Sequence, residues 1–225
     1  MQGPTPAERP ALDALVEQQE KALRKALIAQ RTPVFAVHAI QRVHERIDAL
    51  ADQVRRQPGT AIACRAGCSH CCHLRVEAMA PEVFLLARQV QKWPEAERSA
   101  LQARLDAHAA RAAGLAMHQH RLRCPLLGDD ERCSAYAARP FMCRKLMSSS
   151  VAACAAPEQG AVEDRTMFLQ AAAITYGAHK GYGRAKLPNA VHELGQALRV
   201  ALADPGAEAR WFRGDAVFAP LPDEG

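Results

Sequence analysis

The chain has 225 residues, a formal net charge of +5, and 49% hydrophobic but only 5% aromatic residues. That length suffices for one domain with a real core, and an apolar fraction carried largely by alanine favours packed helices over sheets. The excess Lys and Arg are scattered along predicted helices, so there is neither a basic stripe nor a nucleic-acid reading module, and no nucleic-acid partner is expected.

The opening MQGPTPAERPALDALVEQQEK has no basic start followed by an apolar run and a small-residue cleavage site, and no apolar stretch approaches bilayer length. A cytoplasmic location without membrane contact is expected. Thiols stay reduced there, so the eight cysteines read first as metal ligands or redox groups.

In chain order, Leu12, Leu15, Val16, Leu23 and Leu27 share one helical face. Thr32 offers a cap and Pro33 a first helical position, after which Ile40, Val43, Ile47, Leu50 and Val54 continue at steps of three and four. Residues 1–58 thus predict an antiparallel helical hairpin, ended by Pro58-Gly59. The stripe lasts barely three turns per helix, which favours packing within the chain over a coiled-coil partner. Next comes CRAGCSHCCH, residues 64–73, with little periodicity. Pro81 then opens a helix carrying Val83, Leu86 and Val90. After Trp93-Pro94 a long Ala- and Arg-rich helix is predicted to about Arg121, on Leu101, Leu105, Ala109 and Ala112.

The stretch CPLLGDDERCSAYAARPFMCRK changes character. Gly128-Asp129-Asp130 is a turn between two arms that carry Cys124 and Cys133, which predicts a small hairpin or knuckle setting those sulfurs near each other. Ser134 can cap one helical turn that stops before Pro140 and delivers Cys143. Residues 61–154 form the predicted metal-binding region with its helical spacer. Beyond Cys154 and Pro157, residues 159–225 predict helices over 166–178 and 188–203 and a short one near Trp211. Between the first two, GAHKGYGRAKLP lacks the spacing of a nucleotide loop and reads as a mobile surface loop. With no fixed-period repeat and no strand–helix alternation, the expected fold is mainly α: a single-domain helical bundle over residues 1–225, with an irregular cysteine-rich metal-binding centre and at most a small β-hairpin.

Several chemistries gather thiols this closely. Disulfides are disfavoured by the compartment, and a bond between the neighbours Cys71 and Cys72 strains the peptide between them. Packing as small hydrophobes accounts for one or two cysteines, not for seven in two short segments with only Cys154 elsewhere. Cys64, Cys68 and Cys71 have the CxxxCxxC spacing of radical chemistry on S-adenosylmethionine, but that chemistry is built into a β/α barrel, and no alternating strands are present. Metal chelation remains. A cation offsets the repulsion among thiolates; zinc takes four ligands, with sulfur at about 2.3 Å, and common iron–sulfur clusters likewise use four cysteines. The candidate ligands are Cys64, Cys68, Cys71, Cys72, Cys124, Cys133 and Cys143, followed by Cys154, His70 and His73, with His118 and His120 further back. Cys71 and Cys72 are expected to point in different directions, serving different metals or leaving one to pack. Seven or eight thiols exceed one four-ligand site. Arg65, Arg139, Arg144 and Lys145 flank thiolates in sequence and can offset their charge.

Taken in order, C64RAGC68SHC71C72, C124PLL, C133SAY, R139P and C143R resemble the YkgJ-type cysteine-cluster family, over about residues 61 to 145. The family pattern is a CxxCxxCC or CxxxCxxCC cluster, a helical spacer starting like Pro81-Glu82-Val83, then CPxL, CxxY, RP and CR; SSSVAAC, ending at Cys154, is similar to an extension in some members. The resemblance implies chelation of zinc or iron by the motif cysteines and supplies no reaction. A cluster of this type occurs in flagellin lysine N-methylase, where it is linked to an iron–sulfur centre; that protein is much longer, and fold and cluster do not fix function. The expected function is therefore metal binding, of zinc or an iron–sulfur cluster, through two cysteine segments. The alternatives are an iron–sulfur enzyme or redox protein, for example one linked to methyl transfer, and an adaptor that passes metal to a partner.

Overall fold

In the computed structural model, residues 3–59, 61–156 and 161–222 are described; Pro157, expected before the last helices, lies outside them. The elements in chain order are α1 (Arg9–Ala29), α2 (Pro33–Arg56), β1 (Glu77–Met79), α3 (Ala80–Val90), α4 (Glu95–Ala112), α5 (Phe141–Lys145), α6 (Val151–Ala155), α7 (Arg165–Arg184), β2 (Val191–Glu193), α8 (Leu194–Ala203) and α9 (Ala207–Arg213). The fold is mainly α, and among the described residues the only sheet is the two-stranded one. Two compact units are each assembled from two stretches of chain: Met1–Cys64 with Phe141–Asn189, and Arg65–Pro140 with Ala190–Gly225.

In the first unit the Thr32 hydroxyl accepts from the Phe35 N–H at 3.2 Å, with Pro33 in the first turn, so α2 starts where the sequence predicts. Its stripe buries Ile40, Val43, Ile47 and Val54. The buried face of α1, which includes Leu23 and Leu27, lies mainly against α7. That helix overturns the surface-loop expectation for GAHKGYGRAKLP, because α7 runs on to Arg184 through Gly177 and Gly181. A Cβ at Gly177 would stand 2.6 Å from the Val16 carbonyl oxygen and 2.7 Å from the Gln19 Cβ. The glycines are there for close helix approach rather than for freedom. Tyr182, fully buried, donates its hydroxyl to the Ala36 carbonyl at 2.7 Å and ties α7 to α2. Short α5 packs on α2 and α7, with Arg144 paired to Asp48 and Phe141 set edge-on to His44 at 4.9 Å.

In the second unit β1 and β2 are antiparallel in the register Glu77↔Glu193, Ala78↔His192 and Met79↔Val191. Each strand runs directly into a helix, and α3 and α4 both pack on α8. Phe84 joins Trp211 at 5.7 Å and Phe218 at 5.2 Å to close the far side. Two boundaries differ from expectation. The Ala-rich helix stops at Ala112 rather than near Arg121, because Gly114 takes a φ of +72° that glycine tolerates and a continuing helix forbids. The helix predicted from 188 starts at Leu194, since the residues before it are drawn into pairing with β1. The expected knuckle is reduced to one antiparallel bridge, Leu127↔Cys133, closed by the Gly128 N–H on the Arg132 carbonyl at 2.8 Å.

Candidate metal centre

None of the eight cysteines is in a disulfide, and each is only partly buried. The second unit holds Cys68, Cys71, Cys72, Cys124 and Cys133; the first holds Cys64, Cys143 and Cys154.

The CRAGCSHCCH segment turns at Gly67, whose φ of +85° lies in the left-handed region, and then winds into a 3-10 turn over His70–His73. Such a turn has about three residues per revolution, so neighbouring side chains diverge by about 120° rather than to opposite faces as in a strand. Cys71 and Cys72 thus diverge by about a third of a turn, yet their side chains still interact. The second cysteine segment is anchored to the first by its backbone: the Cys124 N–H donates to the Cys72 carbonyl at 2.7 Å. From Cys124 the chain makes a tight turn, with the Leu127 N–H on the Cys124 carbonyl at 3.0 Å, and the bridge at Leu127 brings Cys133 back alongside. A polar strap closes the same arrangement. Glu131 accepts from the Ser69 hydroxyl, and Arg123 donates to Glu131 at 2.7 Å and to the Gly128 carbonyl at 2.6 Å.

The electrostatics register how close these thiols are. The hydrogen bond to Cys72, burial and the charge of Cys72 push the Cys71 thiol far above the usual range, against the opposing charge of Arg139. Burial pushes the Cys124 thiol up to about 12, with Cys133, Glu193 and Cys71 adding to the shift. Burial also raises Cys133; Arg139 opposes the rise and Cys71 reinforces it. Buried thiols that suppress one another's ionisation are stable as neutral groups, and a bound cation inverts that balance, since it favours each thiolate in turn. Thiolate sulfur is a ligand type that suits zinc and iron, although among the described residues the donor atoms that gather within 4.8 Å of one another belong to His108, His120 and Glu193.

In the first unit Cys64 docks on Ser148, whose N–H donates to the Cys64 sulfur at 3.2 Å, while the neighbouring Ala63 N–H donates to the Ser148 carbonyl at 2.9 Å. Cys143 sits on α5 beside Arg144, and Cys154 on α6, whose start is capped by the Ser150 hydroxyl accepting from the Ala153 N–H at 3.1 Å. His70 is exposed, and His73 holds its Nδ1 at 3.2 Å from the Ser69 carbonyl. His118 is exposed and His120 buried. Two further residues, His108 and Glu193, line a cavity together with His120 and Cys124. His108 was legible in principle, since it continues the Leu101–Leu105–Ala112 face of α4; no local pattern marks Glu193.

Among the described residues no helix is long and apolar enough to cross a membrane. A family model described as "CxxCxxCC: Putative zinc- or iron-chelating domain" matches residues 63–168, a span that contains all eight cysteines. No curated protein and no solved structure matches the chain.

Proposed function

We propose that the chain, whose residues 63–168 match the CxxCxxCC zinc- or iron-chelating domain, is a metal-binding protein whose principal site is the thiol group of Cys71, Cys72, Cys124 and Cys133. One observation carries this reading: two cysteine segments separated by α3 and α4 are joined at the Cys124–Cys72 backbone bond, and the thiols around it oppose one another's ionisation. A zinc or iron ion removes that opposition and cross-links two loops that have few large apolar side chains of their own. Four sulfurs fill a tetrahedron, which is the structural use of such an ion. Arg139 and Arg123 supply positive charge against the net negative charge of a divalent ion held by four thiolates. Cys64, Cys68 and Cys143 belong to the same sequence pattern.

The test is anaerobic purification followed by elemental analysis and a visible spectrum, on the native chain and on Cys71→Ser and Cys124→Ser. Stoichiometric zinc in a colourless protein, or iron in a coloured one, is expected, with one equivalent lost in either variant. Unchanged metal content and unchanged melting in both variants would overturn the site.

A further inference from the structure

Behind the thiol group, within the same unit, lies a set of donors that the cysteine motif does not include. His108 projects from the buried face of α4, His120 follows the 3-10 turn Met117–Gln119, and Glu193 caps the start of α8. They are 7%, 2% and 6% exposed. The His108 Nε2 is 3.0 Å from the Glu193 Oε1, and the His120 Nε2 is 3.8 Å from the same oxygen. One donor atom from each residue falls in a group no more than 4.8 Å across. A tetrahedral zinc ion with bonds of about 2.0–2.1 Å to nitrogen and oxygen separates its ligand atoms by roughly 3.3 Å, so the two distances bracket what such an ion demands.

Three features show that the place is built. Gly195 makes room for the His108 ring, because a Cβ there would lie 2.4 Å from its Cδ2 and 2.7 Å from its Nε2. The Glu193 carboxylate is fixed by the Gly195 N–H on Oε1 at 3.0 Å and the Gln196 N–H on Oε2 at 2.7 Å. Most telling, both ring nitrogens of His120 are buried without a hydrogen-bond partner, a condition that folded proteins avoid unless something occupies the space beside the group. That space exists: a void of about 10 Å³ lined by His108, His120, Glu193 and Cys124 among leucines, close to the minimum for a single water or ion. Burial pushes Glu193 up, but the bond from His108 and the two backbone N–H groups outweigh it and keep the carboxyl below its ordinary value. Arg75, whose charge also acts on His120, is paired with Glu77 at 2.8 Å.

We infer that His108, His120 and Glu193 form a second metal site, distinct from the thiol site and sharing one wall with it through Cys124, that takes a divalent zinc-like cation. Two imidazoles and one carboxylate leave the fourth tetrahedral position for water, in contrast to the filled thiol site.

The test uses the full chain, stripped anaerobically with chelator and reloaded with Co²⁺. Cobalt on thiolates gives intense sulfur-to-metal charge transfer; cobalt on imidazole and carboxylate gives weak ligand-field bands and paramagnetically shifted imidazole N–H resonances. The native chain should bind one more equivalent than His120→Ala, and two shifted imidazole resonances should vanish in that variant while the charge-transfer band is unchanged. Glu193→Gln keeps the shape of the site but withdraws the anionic ligand, and should lose the same equivalent if the alanine variant fails to fold. Equal cobalt content in the native chain and a folded variant, or no shifted imidazole resonances in the native chain, overturns the inference and leaves one buried water as the occupant. Failure of the thiol reading has the opposite signature: no charge-transfer band, with the imidazole resonances intact.

Discussion

Glu163 carries a carboxyl oxygen that is buried without a hydrogen-bond partner, and burial raises its pKa above the ordinary value of 4.5 despite the opposing charge of Lys145. The folded chain therefore keeps a proton that the unfolded chain releases above pH 4.5, so this group's contribution is present at lower pH and is lost as pH rises through the raised folded value. Glu163→Gln removes the loss: its urea midpoint should exceed that of the native chain at pH 7 and match it near pH 4, and an equal difference at both pH values would contradict the assignment. Single residues are also where the sequence is least legible. His118 and His120 are equivalent in the sequence, yet one is exposed and the other is 2% exposed with two unpaired nitrogens, because their fates depend on how the chain leaves α4 at Gly114. The side-chain directions of the Cys71-Cys72 doublet are illegible for a similar reason: they follow from a 3-10 turn that no periodicity announces.

Helices with a clear apolar period, α1, α2 and α3, are legible because burying a stripe is a local property of the chain. The second half of α7 is not, because glycine carries two opposite meanings, a break in an isolated helix and a contact point in a packed one. Gly177→Ala separates them. Alanine gains about 1 kcal/mol in helix propensity, but its methyl would meet a backbone oxygen at 2.6 Å, which cannot move without shifting α1. Overpacking of that kind costs about 1–3 kcal/mol, so net destabilisation is expected by chemical denaturation. Gly183→Ala, whose nearest obstacle is the Asn189 side-chain amide at 2.9 Å, disturbs one hydrogen bond to the His179 carbonyl but no backbone, and should cost less than Gly177→Ala. Equal effects at the two positions would count against the close-packing account. Strands β1 and β2 escape sequence reading altogether, since three residues carry no period and each depends on a partner from the far end of the chain.

On the scale of the molecule, two interleaved units are not visible in a sequence whose composition changes in simple chain order; contacts distant along the chain define them. The cysteines, by contrast, were legible as a metal-binding pattern before any coordinates, because thiols are scarce elsewhere in the chain and their clustering has a chemical reason. Removing the metal with chelator should raise amide hydrogen exchange roughly tenfold, equivalent to about 1.4 kcal/mol, across 68–75 and 122–139. Exchange in α2, which belongs to the other unit, should be unchanged, and a uniform rise would argue against a site confined to the second unit. The pairing of Glu77–Met79 with Val191–Glu193 also gives the protein a history. During synthesis the cysteines emerge seconds before β2, and in that interval β1 is an open edge and the faces of α3 and α4 destined for α8 are bare. The nascent chain is most adhesive then, and an ion captured by the thiols during translation would hold both loops in place before the strand that completes the fold has left the ribosome.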